Sequence, residues 1–314
     1  MKENLKNKKI AVIGGAGFIG SHIVEALVKI GSKVIVIDDL STGNIDNINE
    51  VKDVIEFVRQ SVVDTDKLAD LLTGVDMVCH QAALPSVPKS INLPMETNAA
   101  NLTGTLSMFT AAVKAKVPRV VYASSSSVYG NTPVLPKVET MPANPLSPYA
   151  AQKFGGEIYA KIFHSLYGLE TIGLRYFNVF GPKQNPNSEY AAVVPKFISS
   201  MKRGKRPVIY GDGTQTRDFT FVDNVVAANL AALSSSGGAG EVFNIASGGR
   251  ISLNELMSKL NSLLAVNIKP EYANPRIGDI KDSYADISKA GKILGYRPEV
   301  SFDEGLKKTI EWYS

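Results

Sequence analysis

The sequence predicts an α/β fold: a doubly wound parallel sheet with helices on both faces, joined to a smaller α/β domain. Through the first half of the chain, short β-branched runs alternate with segments that have apolar residues at helical spacing. The runs are almost entirely apolar, as expected of strands that are covered on both faces. A glycine-rich turn directly follows the first run.

The alternation defines the elements of the first half in order. The run KIAVI (9–13) predicts a strand, residues 18–30 predict a helix that begins inside the glycine turn, and KVIVI (33–37) predicts a second strand. The pattern then repeats, with strands expected at 54–58, 75–80 and 119–123 and helices at 66–72 and 95–115.

Beyond about residue 175 the residue composition of the sequence changes. Proline, glycine and asparagine cluster at 181–190, which predicts a loop. The segments PVIYG (207–211) and EVFNIAS (241–247) predict two more strands, and a polar stretch (272–286) precedes the last helices. We interpret this part as the smaller domain, interleaved with the sheet.

Composition excludes several classes of function. The 314 residues include 34 basic and 30 acidic residues, a net charge of +4, and the one cationic cluster is the short start of the chain at 2–9, so neither nucleic acid nor a membrane is an expected partner. No apolar run approaches the roughly 18 residues of a membrane span, and no signal peptide is evident. Cys79 is the only cysteine, which rules out an internal disulfide and favours the cytoplasm.

The glycine turn predicts a dinucleotide site. Gly14, Gly17 and Gly20 lie between a strand and a helix, with Phe18 and Ile19 opening the helix, and a second strand ends in Asp38. Such a turn lets the backbone approach a pyrophosphate, which the helix N-terminus stabilises. Asp38 would accept hydrogen bonds from the adenosine ribose and repel a 2′-phosphate, which favours NAD over NADP.

Other polar or small residues lie where a cofactor could reach them. The loop after Asp38 could touch ribose and phosphate or merely turn the chain, and small residues after the fourth strand suit a cofactor lying across the strand ends. Asn101, inside the following helix, is expected to contact the backbone or the cofactor, or else to lie on the surface. The further candidate cofactor residues are Asp39, Ser41, Thr42, Gly43, Gln81, Ala82 and Ala83.

The segment SPYAAQK (147–153) places a phenol and an ammonium on one helix face, because Tyr149 and Lys153 are four residues apart. A free tyrosine has a pKa of about 10, too high for a base at neutral pH. A nearby ammonium would stabilise the phenolate, so that Tyr149 could take a proton from a substrate hydroxyl. Alone, this spacing is common by chance, and Tyr149 would more often be a packing residue. Four serines (124–127) follow a strand and would place a hydroxyl beside it.

Six motifs in order resemble an extended short-chain dehydrogenase/reductase, and within it a nucleotide-sugar epimerase: GGAGFIG, SSSSVYG, SPYAAQK, RYFNVFGP, GDGTQTRDFTFVDN and PRIGDIKDSYAD. The resemblance implies a Rossmann NAD-binding domain of residues 1–174 and 217–246 and a UDP-sugar-binding domain of residues 175–216 and 247–314. It also implies a homodimer, formed through helices near 95–115 and 149–167, and NAD as a cofactor that stays bound. The segment HQAALPSVPKSI resembles the branch that acts on UDP-N-acetylhexosamines.

The resemblance also implies the reaction. The catalytic hydroxyl of the family matches Ser125, with Ser126 beside it. Related 4,6-dehydratases carry an Asp-Glu pair directly after that hydroxyl and related decarboxylases a glutamate, whereas this chain has Ser126 and Ser127. Without an acid to drive elimination, the 4-keto intermediate would take its hydride back, and 4-epimerisation is expected.

Matching motif positions imply the contacts to the nucleotide sugar. Asn178, Arg217 and Arg276 would bind the diphosphate and the uridine ribose, although each arginine could instead form a surface ion pair with Asp218 or Asp279. Ser283 matches a position where a small residue leaves room for an N-acetyl group. The resemblance also places Tyr176 at the cofactor, and further substrate contacts at Ser86, Val87, Ser125, Ser126, Val194, Val208, Tyr210 and Asp279.

Two other functions remain open from the sequence. One is a UDP-glucuronate 4-epimerase or another sugar-nucleotide oxidoreductase on this scaffold. The other is a non-catalytic NAD-sensing protein, which would typically have lost Tyr149 or Lys153. His22, His80 and His164 lack metal-ligand spacing, so we expect structural roles for them and no metal.

Overall fold

The computed structural model describes residues 2–186, 192–275 and 280–313. These ranges contain strands β1 (Lys9–Ile13), β2 (Lys33–Asp38), β3 (Glu56–Arg59), β4 (Met77–His80), β5 (Arg119–Ser125), β6 (Glu170–Tyr176), β7 (Val179–Phe180), β8 (Val208–Tyr210), β9 (Thr216–Arg217), β10 (Thr220–Phe221), β11 (Glu241–Ile245), β12 (Ile251–Ser252) and β13 (Glu271–Ala273). They also contain helices α1 (Phe18–Ile30), α2 (Thr65–Leu71), α3 (Val87–Asn92), α4 (Pro94–Asn98), α5 (Gly104–Lys114), α6 (Pro148–Tyr167), α7 (Val193–Lys202), α8 (Val222–Ser234), α9 (Leu253–Leu264), α10 (Ser288–Leu294) and α11 (Phe302–Trp312).

Seven strands form the central sheet, in the order β11-β6-β5-β4-β1-β2-β3. Every neighbouring pair is parallel. The chain order reverses between β1 and β4, and ligands of doubly wound sheets bind at the carboxyl ends of strands beside such a reversal. The predicted parallel α/β fold is confirmed.

The sheet is covered on both faces. One face packs against α1 and α8, where Leu27 and Val225 belong to one apolar core. The opposite face packs against α2, α5 and α6, and includes Met108 and Phe163. This arrangement explains why the strands of the sheet are almost wholly apolar.

A third apolar core lies among α7, α9 and α11, away from the sheet faces. Phe18 and Ile19, at the start of α1, also pack against it. The glycine turn is therefore held between the sheet and this third core. Within the described ranges, no helix combines the length and the apolar character needed to cross a bilayer.

Helix α6, which carries the tyrosine–lysine pair, has sharp boundaries that the sequence explains. Ser147 caps its start by accepting a hydrogen bond from the Ala150 amide (3.2 Å), and Pro148 occupies the first turn, where its missing N–H costs nothing. The helix ends at Gly168, whose φ of 69° lies in the left-handed region. Its 20 residues span the length of the sheet beneath it.

The helix expected at 95–115 is interrupted. Helices α4 and α5 are joined by a π-helical turn, Ala99–Thr103, in which Asn101 is buried. Single π-helical turns inside longer helices are frequent at functional sites. Apolar periodicity, which predicted one continuous helix here, carries no signal for this irregular turn.

Candidate active site

The glycine turn between β1 and α1 has no room for side chains. A Cβ on Gly14 would lie 2.4 Å from the Ala82 amide nitrogen, and the φ of Gly14 is 82°. A Cβ on Gly20 would lie 2.0 Å from the Gly14 carbonyl oxygen. Gly17 caps α1 without any side-chain hydrogen bond, so the amides of the first turn have no side-chain acceptor. The turn is a cradle of the kind that takes a pyrophosphate.

Asp38 ends β2 next to this cradle and is almost fully buried. Its carboxylate accepts hydrogen bonds from the amides of Ala16 (2.9 Å) and Leu40 (2.8 Å). Burial raises the pKa of Asp38, while these two hydrogen bonds act in the opposite direction. A Cβ on Gly43 would lie 2.9 Å from the carboxylate, so the chain passes close over it. Each carboxylate oxygen retains a lone pair for a ribose hydroxyl.

The loop after Asp38 stabilises its own turn. The Asp39 carboxylate accepts a hydrogen bond from the Ser41 amide (2.9 Å), on the exposed side of the loop. Ser41, Thr42 and Gly43 follow directly and bring the chain back over Asp38. The structure therefore shows the turn-forming role that the sequence left open, beside the candidate ribose site.

Residues after β4 lie beside the glycine turn. Ala82 donates its amide hydrogen to the Ile13 carbonyl (3.0 Å), and Gln81 accepts a hydrogen bond from the Tyr176 hydroxyl (3.1 Å). Asn229 from α8 completes this group, since its amide donates to Tyr176 (2.8 Å). Tyr176 and Gln81 thus form one polar cluster at the carboxyl ends of β4 and β6, with Ala83 next in the chain.

Asn101 is buried, which excludes the surface role. Its side chain accepts a hydrogen bond from the Leu84 amide (2.7 Å) and donates to the Leu84 carbonyl (3.2 Å) and to Gln152 (2.8 Å). The backbone contact that the sequence allowed is therefore present. It anchors the segment after β4 to α6 through Gln152.

Tyr149 and Lys153 lie one turn apart on α6, with the ammonium nitrogen 5.9 Å from the centre of the phenol ring. Lys153 donates a hydrogen bond to the Ala123 carbonyl (2.9 Å) on β5. Burial lowers the pKa of Lys153 to about 8, so the side chain remains a cation at neutral pH. The Tyr149 amide donates to Ser90 (3.0 Å), which fixes the start of the helix.

The pKa of the Tyr149 phenol is shifted in the direction opposite to the one expected from its neighbours. In this structure burial raises the pKa of Tyr149, and a hydrogen bond with Ser125 acts in the opposite direction. A phenolate here needs further positive charge or a further hydrogen-bond donor.

The four serines separate into different roles. Ser124 points to the helix side and donates a hydrogen bond to Glu157 (2.5 Å). Ser125 faces Tyr149 and accepts hydrogen bonds from the amide (3.2 Å) and hydroxyl (2.9 Å) of Ser127. Ser126 begins the short 3-10 helix Ser126–Tyr129.

A buried ion pair lies behind the tyrosine–lysine pair, and the sequence reasoning missed it. Glu157 on α6 accepts hydrogen bonds from Arg175 on β6 at 2.8 and 2.6 Å, and both side chains are nearly inaccessible. The guanidinium also lies 4.7 Å from the centre of the Tyr129 ring. Glu157 and Arg175 are 18 residues apart in the chain, so no local spacing pointed to this pair.

The candidate diphosphate residue Asn178 has a φ of 33°, an uncommon conformation for a residue other than glycine. Its side-chain amide donates to the Asp218 carbonyl (3.3 Å) and to the Ser283 hydroxyl (3.4 Å). Ser283 is 8% exposed and therefore forms part of a closed wall. The structure brings Asn178 and Ser283, distant in sequence, into contact.

Arg217 lies on β9 and donates hydrogen bonds to the carbonyls of Thr216 and Lys281 (2.9 and 3.0 Å). A cavity of about 760 Å³ opens beside it, lined by Tyr210, Thr214, Tyr272, Ile280 and Lys281 among others. Val208 begins β8 on the same edge and is partly exposed.

The other candidate substrate residues have varied positions. Val194 packs in the third apolar core. Ser86 caps α3 by accepting a hydrogen bond from the Lys89 amide (3.0 Å), and Val87 is the first residue of that helix. Arg276 and Asp279 lie outside the described residues.

The three histidines have structural contacts. His22 bonds to the Pro182 carbonyl (3.1 Å), His80 to Thr105 (3.2 Å) and His164 to the Leu169 carbonyl (3.1 Å). Among residues 2–186, 192–275 and 280–313, no group of histidine, cysteine and carboxylate side chains could hold a metal ion. Cys79 is buried, as expected for a structural thiol.

The seven-stranded sheet, its glycine turn and the tyrosine–lysine pair together define a nicotinamide-dependent enzyme of the short-chain dehydrogenase/reductase class. Within that class the chain belongs to the NAD dependent epimerase/dehydratase family, whose model matches residues 10–246. The resemblance drawn from the six motifs is confirmed, and so is the prediction of NAD as cofactor. The closed cradle at Gly14 and Gly20 and the buried acceptor Asp38 fit this cofactor.

Relatives with a stated activity span nearly the whole chain. The UDP-glucose 4-epimerase of Mycolicibacterium smegmatis is 40% identical over 307 residues, which is 96% of this chain and 97% of that protein. The UDP-N-acetylglucosamine 4-epimerase of Methanobrevibacter ruminantium M1, solved in complex with UDP-N-acetylmuramic acid, is 43% identical with a TM-score of 0.94 and covers 98% of both chains. The UDP-glucose 4-epimerase of Thermotoga maritima, solved with UDP-glucose, is 38% identical with a TM-score of 0.93, over 97% of this chain and 98% of that one.

Proposed function

We propose that this protein is a UDP-sugar 4-epimerase, an isomerase that interconverts UDP-GlcNAc with UDP-GalNAc and also UDP-Glc with UDP-Gal. The observation that carries the proposal is the cluster of Tyr149, Lys153 and Ser125, which offers a proton acceptor and a hydroxyl, and which no carboxylate of the described residues contacts. Glu157, the carboxylate that accepts a hydrogen bond from Ser124, is also bound to Arg175. Elimination of water therefore lacks its catalyst, and a 4-keto sugar formed here would be reduced again.

In this mechanism the chain moves one proton. Tyr149 takes the proton of the sugar 4-hydroxyl and later returns it, and Ser125 shares that proton through its hydrogen bond to the phenol. Bound NAD would supply the hydride acceptor and donor for C4 of the sugar, and the cradle at Gly14 and Gly20 together with Asp38 would hold it. The Lys153 ammonium lies 5.9 Å from the centre of the phenol ring, and the positive nicotinamide ring of bound NAD would add the further positive charge that a phenolate needs.

Opposite requirements hold for the two halves of the substrate. The nucleotide must stay bound while the sugar ring rotates, so that either face of C4 can reach the cofactor. Asn178 and Arg217 provide amide and guanidinium donors suited to phosphate oxygens. We assign nucleotide binding to residues 175–216 and 247–314, and cofactor binding to residues 1–174 and 217–246.

The acetamido substrates are favoured by the small size of Ser283. This side chain accepts a hydrogen bond from Asn178, and its position matches one where, in the family that this chain resembles, a small residue leaves room for an N-acetyl group. The solved structure of the Methanobrevibacter ruminantium UDP-N-acetylglucosamine 4-epimerase, which resembles this chain over nearly its whole length, supports the same choice. A UDP-glucuronate 4-epimerase or a non-catalytic NAD sensor is not favoured, and the sensor would not need both Tyr149 and Lys153.

We also propose a cytoplasmic homodimer. Ile158, Ile162 and Leu166 form an exposed apolar stripe on α6 at a spacing of four residues, and Leu166 is 72% exposed. Met95, on α4, is 81% exposed. Stripes of this kind on a helix mark a surface that another chain covers. The single buried thiol suits a reducing compartment.

The proposed function is tested by incubating the purified protein with UDP-Glc, UDP-Gal, UDP-GlcNAc, UDP-GalNAc and UDP-glucuronate, and by separating the epimers chromatographically. We expect each acetamido sugar to give its C4 epimer. Turnover of UDP-glucuronate alone, or of UDP-Glc but not UDP-GlcNAc, would contradict the substrate assignment.

Tyr149→Phe removes the proton acceptor but keeps the ring. We expect epimerisation to fall by about 100-fold or more, with NAD still bound, because general base catalysis contributes factors of this size. Tyr159→Phe is the matched control, since Tyr159 lies on the same helix and packs in the apolar core beneath it. Unchanged epimerisation in Tyr149→Phe would remove the catalytic assignment.

A further inference from the structure

Asp218 is a fully buried carboxylate that belongs to none of the groups assigned above. It lies between β9 and β10, and its exposed fraction is 0%. One carboxylate oxygen accepts hydrogen bonds from the Ser247 amide (2.9 Å) and the Ser247 hydroxyl (2.7 Å). The other oxygen accepts a hydrogen bond from the Ala285 amide at 3.4 Å. A buried charge is tolerated only with such hydrogen bonds, so these contacts are costly to lose.

These contacts join three segments that are distant in sequence. The segment at 283–285 carries the candidate sugar residue Ser283, and the segment at 247–248 follows β11. The third segment is that of Asp218 itself, directly after Arg217. The Asp218 carbonyl also accepts a hydrogen bond from the Asn178 side chain (3.3 Å), which links the candidate diphosphate residue to the same point.

The segment at 283–285 is hydrogen-bonded to the short stretch 216–218, which contains Asp218. The Ser283 amide donates to the Thr216 carbonyl (3.1 Å), and the Ser283 hydroxyl accepts from Asn178. Thr216 and Asp218 are two residues apart, so one short stretch holds the wall through backbone and side chain together. Burial raises the pKa of Asp218 to about 6, while the hydrogen bonds from Ser247 and Ala285 lower it.

We propose that Asp218 is a positioning residue that sets the shape of the hexose pocket and thereby the choice between acetamido and plain hexoses. The inference rests on the proposed function, since it concerns the substrate of that site. With Asp218 in place, Ser283 and Asn178 are held at a fixed separation before the sugar arrives. Without it, the segment at 283–285 has to be ordered by the substrate, and the fit around the acetamido group is lost.

The test is Asp218→Asn, assayed with UDP-GlcNAc and UDP-Glc. The amide keeps an acceptor for Ser247 but turns a donor towards the Ala285 amide, so one support fails while the volume is unchanged. We expect KM for UDP-GlcNAc to rise by about 10-fold, kcat to change by less than about 3-fold, and the preference for UDP-GlcNAc over UDP-Glc to shrink. Asp286→Asn is the control, because the Asp286 carboxylate caps the exposed Ser288 amide in the same segment.

Ser247→Ala is a second variant, which tests the same inference if Asp218→Asn fails to fold. It removes only the hydroxyl bond to Asp218 and leaves the amide bond, so a smaller shift of KM and of sugar preference is expected in the same direction. The inference is overturned if either variant, folded and loaded with NAD, keeps both the wild-type KM and the wild-type preference, or loses kcat at unchanged KM. Absence of any UDP-sugar turnover in the wild type would instead overturn the proposed function.

Discussion

The pKa of Lys153 is set by the surroundings of its side chain. Its ammonium is buried between α6 and β5, where it donates a hydrogen bond to the Ala123 carbonyl at 2.9 Å. A dipole compensates a buried charge less well than water does, and burial lowers the pKa of Lys153 to about 8. At neutral pH Lys153 is therefore still mostly a cation beside Tyr149.

The lowered pKa of Lys153 predicts a pH dependence of stability. Between about pH 8 and pH 10.5 the unfolded chain binds more protons at this residue than the folded chain does, so this residue's contribution to the free energy of unfolding rises with pH. We expect wild type to gain up to about 3 kcal/mol relative to Lys153→Met between pH 7 and pH 10.5. Urea unfolding of both proteins at a series of pH values measures this gain.

Lys153→Arg supplies the control for that series, because arginine stays charged throughout the range. Its stability relative to Lys153→Met should not change with pH. A constant difference between wild type and Lys153→Met would show that the folded lysine titrates near its ordinary pKa.

At the scale of elements, the turn between β1 and α1 is the most constrained feature of the chain. A Cβ on Gly20 would meet backbone, not a movable side chain, since the Gly14 carbonyl oxygen lies 2.0 Å from its position. We expect Gly20→Ala to lose bound NAD and to lower the melting temperature. Gly291→Ala is the control, because a Cβ there has ordinary contact at 3.4 Å within α10. Retention of NAD by Gly20→Ala would contradict the role of the turn.

The Glu157–Arg175 ion pair joins α6 to β6. Removing one residue of the pair leaves the charge of the other buried without a partner. Glu157→Leu leaves a buried guanidinium without its carboxylate, and we expect a loss of about 3–5 kcal/mol in the free energy of unfolding. The double variant with Arg175→Met should lose less than Glu157→Leu alone. Asp66→Asn, which breaks the exposed pair with Lys114, serves as the control and should change little. Equal losses in the single and double variants would contradict the buried pairing.

The sequence predicted those elements whose signal is local. Alternation of apolar runs, three glycines and an i, i+4 spacing are all read from neighbouring residues, and the sheet, the turn and the Tyr149–Lys153 pair follow from them. Glu157, Arg175 and Asp218 gave no such signal, because each is satisfied by a partner far away in the chain. The π-helical turn at Asn101 was hidden for the same reason, since its partners are Leu84 and Gln152.

At the scale of the whole molecule, polar residues connect the apolar cores. Asn244 on β11 accepts a hydrogen bond from the Tyr129 hydroxyl (2.6 Å) and donates to the carbonyls of Lys137 (2.9 Å) and Asp286 (3.1 Å). It therefore ties the edge of the sheet to the segment that carries Ser283. The sheet and the segment that carries Ser283 are thus linked by buried hydrogen bonds, which specify relative position more strictly than apolar contact does.

Helix α6 is the element that would link this architecture to a second copy of the chain. Its inner face carries Tyr149, Lys153 and Glu157, and its outer face carries the exposed stripe of Ile162 and Leu166. Burying that stripe in a dimer would hold the helix against the sheet from outside and would fix the catalytic pair more firmly.

The dimer is tested by Ile162→Glu combined with Leu166→Glu. Two carboxylates in the stripe would be desolvated without partners, so association should fail and the molar mass by light scattering should fall to that of one chain. Val54→Glu is the matched control, since Val54 is an exposed apolar residue on another surface. We expect it to keep the wild-type mass. A wild-type protein that is already monomeric at micromolar concentration would contradict the proposal, whereas a monomeric variant with a lower melting temperature and weaker epimerisation would show that α6 needs its partner to hold Tyr149 in place.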